Sequence, residues 1–336
     1  MNERQYDIEN EIFGVTSASF ETLALEIFLF QYNENKIYRQ FCDALQIIPS
    51  AVKSIQQIPF LPIQFFKSKN ICSTAFEPVA IFESSGTTGA INSRHLIKNI
   101  ALYEESFYTS FQLFYGDIKD YCIVGLLPSY LERGNSSLVY MVNELVKKSS
   151  SVNSGFYLYD LEKLSRTLQQ NEAAGKRTLL IGVTYALLDF AEKFPMQLKH
   201  TIVMETGGMK GRREEMTREE VHGQLQTRLG LTDIHSEYGM TELLSQAYSA
   251  HNGIFNCPPW MKILLRSEDD PFNIISTQQI TKQYVTGVIN VIDLANIYSC
   301  SFIATDDVGK LYSNNSFEVM GRLDNSDIRG CGLMFL

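Results

Sequence analysis

Apolar residues recur at helical spacing over residues 20–32 (FETLALEIFLFQY) and 36–48, which predicts two helices within a mainly helical stretch, residues 1–75, with Pro49 closing the second. The run IPFLPIQFF (58–66) holds two prolines, so extended or turning backbone is expected there. Near residue 76 the rhythm changes. VAIF (79–82) runs into ESSGTTG, YCIVGLL (121–127) into PSYLERGNSS, TLLIGV (178–183) into a helix through Phe194, and TIVM (201–204) into ETGG, while Ile234 introduces HSEYGMTE. These β-rich runs alternate with helical stretches at 100–115 and 213–229, and the alternation predicts an α/β fold with a parallel, doubly wound sheet over 76–255. Ligands of such sheets sit beyond the carboxyl ends of the strands, where these loops gather. Over 256–320, VTGVINVID (285–293), SFIAT (301–305) and FEVM (317–320) read as short strands separated by turns. They predict a small β-rich subdomain, a largely antiparallel sheet or barrel, followed by a hinge-like tail at 321–336.

Composition narrows the classes. The 336 residues carry a net charge of −9, with 45% hydrophobic and 12% aromatic residues, enough apolar surface for a sizeable core and too much for wholesale disorder. The acidic balance argues against a nucleic-acid partner, which needs a basic face. No apolar run reaches the length of a membrane span, and the polar N-terminus does not read as a secretory signal. A cytoplasmic location is expected. The cysteines, Cys42, Cys72, Cys122, Cys257, Cys300 and Cys331, form no CxxC pair, so neither a zinc site nor a disulfide framework is expected.

Four segments carry candidate chemistry. The first is Ser84-Ser85-Gly86-Thr87-Thr88-Gly89. Its glycines let backbone approach an anion and its hydroxyls can surround phosphate oxygens, although a plain polar connection would have the same composition. It lacks the Gly-Lys-Ser/Thr of a Walker loop. The second is Tyr238-Gly239-Met240-Thr241-Glu242. The ring can stack on a purine, and Thr241 and Glu242 can hold Mg²⁺ on a nucleotide phosphate; a helix N-terminus capped by the same two residues is the other reading. The third and fourth are Thr305-Asp306-Asp307-Val308-Gly309 and Gly321-Arg322-Leu323-Asp324. Asp307 can accept from ribose hydroxyls and Arg322 can answer phosphate or ribose oxygens; a strand-ending turn and a surface salt bridge fit equally.

The order of these segments, with ETGG between the first and second, resembles the adenylate-forming superfamily of acyl- and aryl-CoA ligases over roughly residues 79–330. The flanks IPFLPIQFFKSK, METGGMKGRREEMTREE, HSEYGMTELLSQAYS and IRGCGLM are similar to the LuxE-type acyl-protein synthetases of that superfamily. The resemblance implies the superfamily's large-domain architecture without its usual C-terminal small domain. It implies ATP and Mg²⁺ as cofactors, with Ser84 to Gly89 on the phosphates and Gly207 and Gly208 lining the adenine and acid pocket. Tyr238, Gly239, Asp307 and Arg322 would hold the nucleotide, Thr241 and Glu242 would be catalytic, and Glu242 the metal ligand. It also implies that a carboxylic acid, most simply a fatty acid, is converted to acyl-AMP and passed to Cys331 as a thioester. The partner would be an acyl reductase or acyltransferase. The residues add their own argument for Cys331: two flanking glycines make an unobstructed tether, and Arg329 favours a thiolate nucleophile.

Departures from the superfamily pattern set further expectations. The basic residue that commonly follows the Ser/Thr/Gly loop is replaced by Gly89-Ala90-Ile91-Asn92, with Arg94 as a substitute. Lys210, Arg212 and Arg213 are candidates for the cation that the small-domain lysine supplies in related ligases. His95 reads as a phosphate contact or a solvated loop residue, His235 as a pocket or structural residue, and Phe65, Phe66 and Trp260 as core or pocket wall. Two other functions remain open: acyl transfer to CoA or a carrier protein with Cys331 a bystander, and a nucleotide-binding subunit without ligase activity.

Overall fold

The computed structural model describes residues 3–84, 91–128, 134–208, 216–275 and 283–323. The chain opens with α1 (Glu3–Ile12), α2 (Phe20–Glu34) and α3 (Lys36–Ala44). Asn35 ends α2 and caps α3, its side chain accepting from the Tyr38 amide. The second helix is shorter than its periodicity predicts: Gln46 takes a left-handed φ of 57°, and Pro49 opens a separate 3₁₀ turn rather than closing α3. The Pro-rich run becomes β1 (Leu61–Pro62) and then one helical turn, α4 (Phe65–Ser68), a small departure from wholly non-helical backbone.

A hairpin, β2 (Ala80–Glu83) and β3 (Arg94–Ile97), precedes α5 (Ile100–Tyr115) and β4 (Cys122–Leu126). Then follow α6 (Ser137–Lys148), β5 (Gly155–Phe156), α7 (Leu161–Ala173), β6 (Thr178–Gly182), α8 (Thr184–Lys193), β7 (Thr201–Glu205), α9 (Arg218–Leu229), β8 (His235–Tyr238) and β9 (Ala247–Ser249). Their sheet has the order β5-β4-β6-β7-β8-β9. All its pairs are parallel except β8 with β9. The order reverses at β4 and β6, the doubly wound switch point. Alternate residues of the central strands serve opposite faces. Ile123, Leu179, Ile181 and Met204 pack with α5 and α6, whereas Val124, Leu180 and Val203 pack with α7, α8 and α9. The last helix begins at Arg218, where Thr217 and Glu220 form a reciprocal capping box; residues 213–215 of the predicted helix lie outside the described residues.

The remaining strands are β10 (Met261–Arg266), β11 (Ile274–Ile275), β12 (Tyr284–Asp293), β13 (Phe302–Tyr312) and β14 (Phe317–Arg322). They form a second sheet in the order β1-β13-β12-β10-β11, with β14 also on β13. Its pairs are antiparallel except that of β1, a strand from the N-terminal part, which runs parallel to β13. The core of this sheet is continuous with the α5 face of the first. The expected α/β fold, a doubly wound body joined to a largely antiparallel β-rich part, is therefore present. One expectation fails: β13 runs as one strand from Phe302 to Tyr312, its pairing with β12 bulging between Ala304 and Val308, so Thr305 to Gly309 is not a strand-ending turn. No helix among the described residues is long and apolar enough to cross a membrane.

Candidate active site

Strand register brings the third and fourth segments together. Asp307 on β13 lies directly opposite Arg322 on β14, next to an irregularity at Val308 and Gly309. Arg322 Nε donates to Asp307 Oδ1 at 3.1 Å, and Tyr238 Oη, from the end of β8, donates to Oδ2 at 2.9 Å. Tyr238 and Asp307 are 8% and 6% exposed, while the Arg322 side chain is 77% exposed. Burial, with the Asp307 charge beside it, pushes the Tyr238 phenol well above its ordinary value, so it remains a donor. The Asp307 charge likewise raises Arg322. Tyr238 packs edge-to-face against Phe255 and Phe317, at 6.0 and 5.4 Å between ring centroids.

Thr241 and Glu242 follow in a turn, which removes the helix-cap reading. Glu242 is buried, and desolvation raises its carboxyl, partly offset by the Ser93 hydroxyl and by the charges of Arg322 and Lys67. The turn is held from two sides: His95 Nδ1 contacts the Thr241 carbonyl at 2.8 Å, and Asn296 Nδ2 donates to the Glu242 carbonyl at 2.7 Å. His95 is fully buried on β3 and burial pulls it down to about 4. It is a neutral structural donor, neither a phosphate contact nor a solvated loop residue. The β2–β3 hairpin brings Ser84, the first residue of the Ser/Thr/Gly loop, and Ser93 to this turn, with Ser84 Oγ accepting from the Ser93 amide at 2.9 Å. Residues 85–89 of that loop lie outside the described residues, as do Lys210, Arg212, Arg213 and Cys331.

At the end of β7, Gly207 and Gly208 adopt φ of 73° and 94°, conformations that favour glycine. The Gly207 amide donates to Glu205 Oε2 at 2.7 Å. Burial alone would raise the Glu205 carboxyl. Hydrogen bonds from His222, Gly207 and Ser236, with the Arg218 charge, outweigh it and hold Glu205 below the ordinary range.

Two other expectations change. Arg94 pairs across the hairpin with Glu83. Alternation along β3 turns Arg94 to the face opposite His95, away from the Thr241–Glu242 turn. His235 begins β8 and so lies at the end of the sheet opposite Tyr238, in contact with Tyr115 Oη at 3.2 Å. There it lines a separate cavity of about 200 Å³ with Phe114, Tyr121 and Arg177. Phe66 and Trp260 are core residues.

Sequence reasoning missed several residues around the site. Gln64 Nε2 donates to both Asp306 oxygens, at 2.6 and 2.7 Å. Buried Arg266 donates to the Thr305 carbonyl at 2.6 Å and to Asn290 at 2.6 Å, supporting β13 from behind. Lys67, on α4, is exposed. The FFKS segment that carries it was visible, but nothing local connects residue 67 with residue 242.

The arrangement brings a buried carboxyl, an exposed guanidinium and an aromatic anchor together near the carboxyl end of the sheet. No group of three or more His, Cys, Asp or Glu side chains that could hold a metal occurs among the described residues. A divalent cation would fit at Glu242 as one carboxylate sharing the ion with phosphate oxygens, the usual manner for Mg²⁺.

The chain is 22% identical to a long-chain-fatty-acid–luciferin-component ligase of Aliivibrio fischeri over 93% of this chain and 86% of that one. The Vibrio harveyi protein of the same name is also 22% identical, over 90% and 84%. Among solved structures, a long-chain-fatty-acid-CoA ligase (FadD1) from Archaeoglobus fulgidus aligns with a TM-score of 0.48 at 14% identity, covering 72% of this chain and 51% of that one. O-succinylbenzoate coenzyme A synthetase (MenE) from Bacillus subtilis, in complex with AMP, gives 0.47 at 13%, covering 73% and 50%. The chain thus spans about half the length of these two structures. The family profile for acyl-protein synthetase, LuxE, matches residues 15–335, nearly the whole sequence, and the chain belongs to that family.

Proposed function

We propose that this protein is an ATP-dependent ligase that activates a long-chain fatty acid as acyl-AMP and transfers the acyl group to Cys331, from which a partner protein takes it. Family membership supports the ligase class, and the names of the two bacterial relatives support a long-chain acid. The observation that carries the reading is the meeting of Tyr238, Asp307 and Arg322 near Glu242 and Ser84, the first residue of the Ser/Thr/Gly loop. Segments far apart in the sequence meet there.

A carboxylate is a poor electrophile because its negative charge is delocalised and oxide is a hopeless leaving group. In the proposed reaction one carboxylate oxygen attacks the α-phosphorus of ATP, the bond to the bridging oxygen breaks, and pyrophosphate leaves with the electron pair. The protein orients the two anions and offsets their charge. Tyr238, Asp307 and Arg322 hold the nucleoside, and Ser84 to Gly89 surround the phosphates. Glu242 would hold Mg²⁺, which would supply charge neutralisation. The Cys331 thiol, having lost its proton to solvent, then attacks the acyl carbonyl and AMP leaves. Four of the other five cysteines suit this role poorly, and the fifth, Cys122, is buried in a central strand. Burial pushes Cys42 and Cys300 up to about 12, and it raises Cys72 and Cys257 as well.

Acid-dependent exchange of labelled pyrophosphate into ATP tests the first half across fatty, aryl and amino acids. Exchange with long-chain fatty acids is expected, and ATP binding without exchange for any acid would favour a non-catalytic nucleotide-binding subunit. Labelled acid tests the second half: Cys331→Ala is expected to retain exchange and lose the covalent acyl-enzyme. A Cys331→Ala variant that still forms thioester products with CoA or a carrier would reassign the acceptor.

A further inference from the structure

We propose that Arg218 is a positioning residue for nucleotide binding: its guanidinium pins β14 at a bulge and so keeps Arg322 opposite Asp307. The inference rests on the reading above of Tyr238, Asp307 and Arg322 as the groups that hold the nucleotide.

The first ground is how little β14 specifies its own register. The strand is joined to its sheet through β13. In that pairing Gly309 faces Val319 and Val308 faces Gly321, so Met320 has no residue opposite it. A bulge of this kind disrupts the ladder locally, and a slip of one residue turns every side chain beyond it to the other face. Arg322 lies beyond the bulge, and its largely exposed side chain is not held there by packing.

The second ground is what the Arg218 side chain touches. Its Nη1 donates to the Val319 carbonyl at 3.0 Å, at the residue just before the bulge and 101 positions away in sequence. The guanidinium lies over the Phe255 ring, 5.4 Å from its centroid, and Phe255 packs against Tyr238. On its other side Nε stands 4.0 Å from Glu205 Oε1. The second oxygen of Glu205 accepts from the Gly207 amide at 2.7 Å and from the Thr184 hydroxyl at 3.1 Å. One side chain thus ties β14, in the antiparallel sheet, to the end of β7 in the parallel one. The third ground is its place in α9. Arg218 is the first residue of that helix, directly after the Thr217 cap and before Glu219 and Glu220. The helix dipole favours acids in the first turn, so a cation there runs against the local preference, and its long-range contacts account for it. In this role Arg218 acts through β14: it sets where Arg322 stands.

The test uses the full-length protein with Arg218→Met, which keeps an apolar stem and removes the donors, and with Arg218→Lys, Arg322→Ala and the double variant Arg218→Met/Arg322→Ala. Arg228→Met, which removes an exposed cation from the same helix, is the control. Thermal melting checks that each variant is folded at the assay temperature, and equilibrium binding of AMP and of ATP is then measured. Arg218→Met and Arg322→Ala are each expected to weaken both nucleotides about tenfold, the loss of one hydrogen bond to a charged group. The double variant should bind within about threefold of either single one, because an Arg322 already displaced has little left to lose. Arg218→Lys should recover part of the affinity, since an ammonium can still donate to the Val319 carbonyl, and Arg228→Met should match wild type. Losses that multiply in the double variant would overturn the proposal, as would binding by Arg218→Met within about twofold of wild type. A wild type that binds neither nucleotide would remove the reading beneath the proposal. Amide hydrogen exchange over residues 317–322 would still decide the pinning: faster exchange in Arg218→Met is expected, and an unchanged rate would refute it.

Discussion

Replacing Tyr238 by Phe removes one oxygen from the centre of the site and little else. That oxygen donates to Asp307 Oδ2 at 2.9 Å, both residues are buried, and the other carboxylate oxygen is already taken by Arg322. The ring's contacts with Phe255 and Phe317 survive the change, so the cost is almost wholly that of leaving a buried carboxylate oxygen without its donor. A hydrogen bond to a charged group contributes about 1.5–3 kcal/mol, and a loss of about 2 kcal/mol in unfolding free energy is expected. The Arg322 contact is a different case. Its side chain is 77% exposed, solvent screens the pair, and Arg322→Ala should cost under about 1 kcal/mol. Urea unfolding of Tyr238→Phe, Asp307→Asn and the double variant isolates the pair, and a coupling of about 1–2 kcal/mol is expected because the groups touch. Since the ring remains, ATP affinity should change less than stability does. A Tyr238→Phe loss below about 0.5 kcal/mol, or additive single losses, would show that the phenol and the carboxylate do not meet in the folded protein and would break the geometric argument for the site.

Two further outcomes follow from buried groups near it. Burial, with the Glu205 charge nearby, pushes Glu237 up to about 8, so between its ordinary value and about 8 the folded chain holds a proton that the unfolded chain has released. The associated stability is fully present below about pH 4.5 and is lost as pH rises through about 8, a change on the order of a few kcal/mol at about 1.4 kcal/mol per unit. Unfolding measured from pH 5 to 9 should show this fall in wild type and lose it in Glu237→Gln; an unchanged slope would refute it. At Gly309 a Cβ would stand 2.4 Å from the Glu318 carbonyl oxygen and 2.8 Å from Ile289 Cδ1. Gly309→Ala should therefore displace β14, cost about 1–3 kcal/mol and separate Arg322 from Asp307, and a wild-type urea midpoint would refute the packing argument.

The sequence by itself determined the local structure that depends on period and punctuation. Alternation and β-rich runs located the strands around Val124, Leu180 and Val203, and the spacing of apolar positions located α2, α5 and α9. The order of short polar segments after those strands was enough to single out Tyr238, Asp307 and Arg322. It did not say that Tyr238 and Arg322 share one carboxylate, because that depends on the register of β13 against β14 and on the packing of two sheets. Local reasoning misread the groups whose roles are set by distant partners. His95 looked like a loop residue until β3 buried it under the Thr241 carbonyl. His235, seven residues before Glu242, lies at the far end of its strand. The α4 segment carried no periodic signal, and its meaning comes from a strand 242 residues away, where Gln64 meets Asp306. Side-chain alternation and helical spacing are properties of neighbours along the chain, and so they can be read from order alone. Which carboxylate receives a hydrogen bond, and from which side chains, is fixed by long-range packing, and only the tertiary structure decides it.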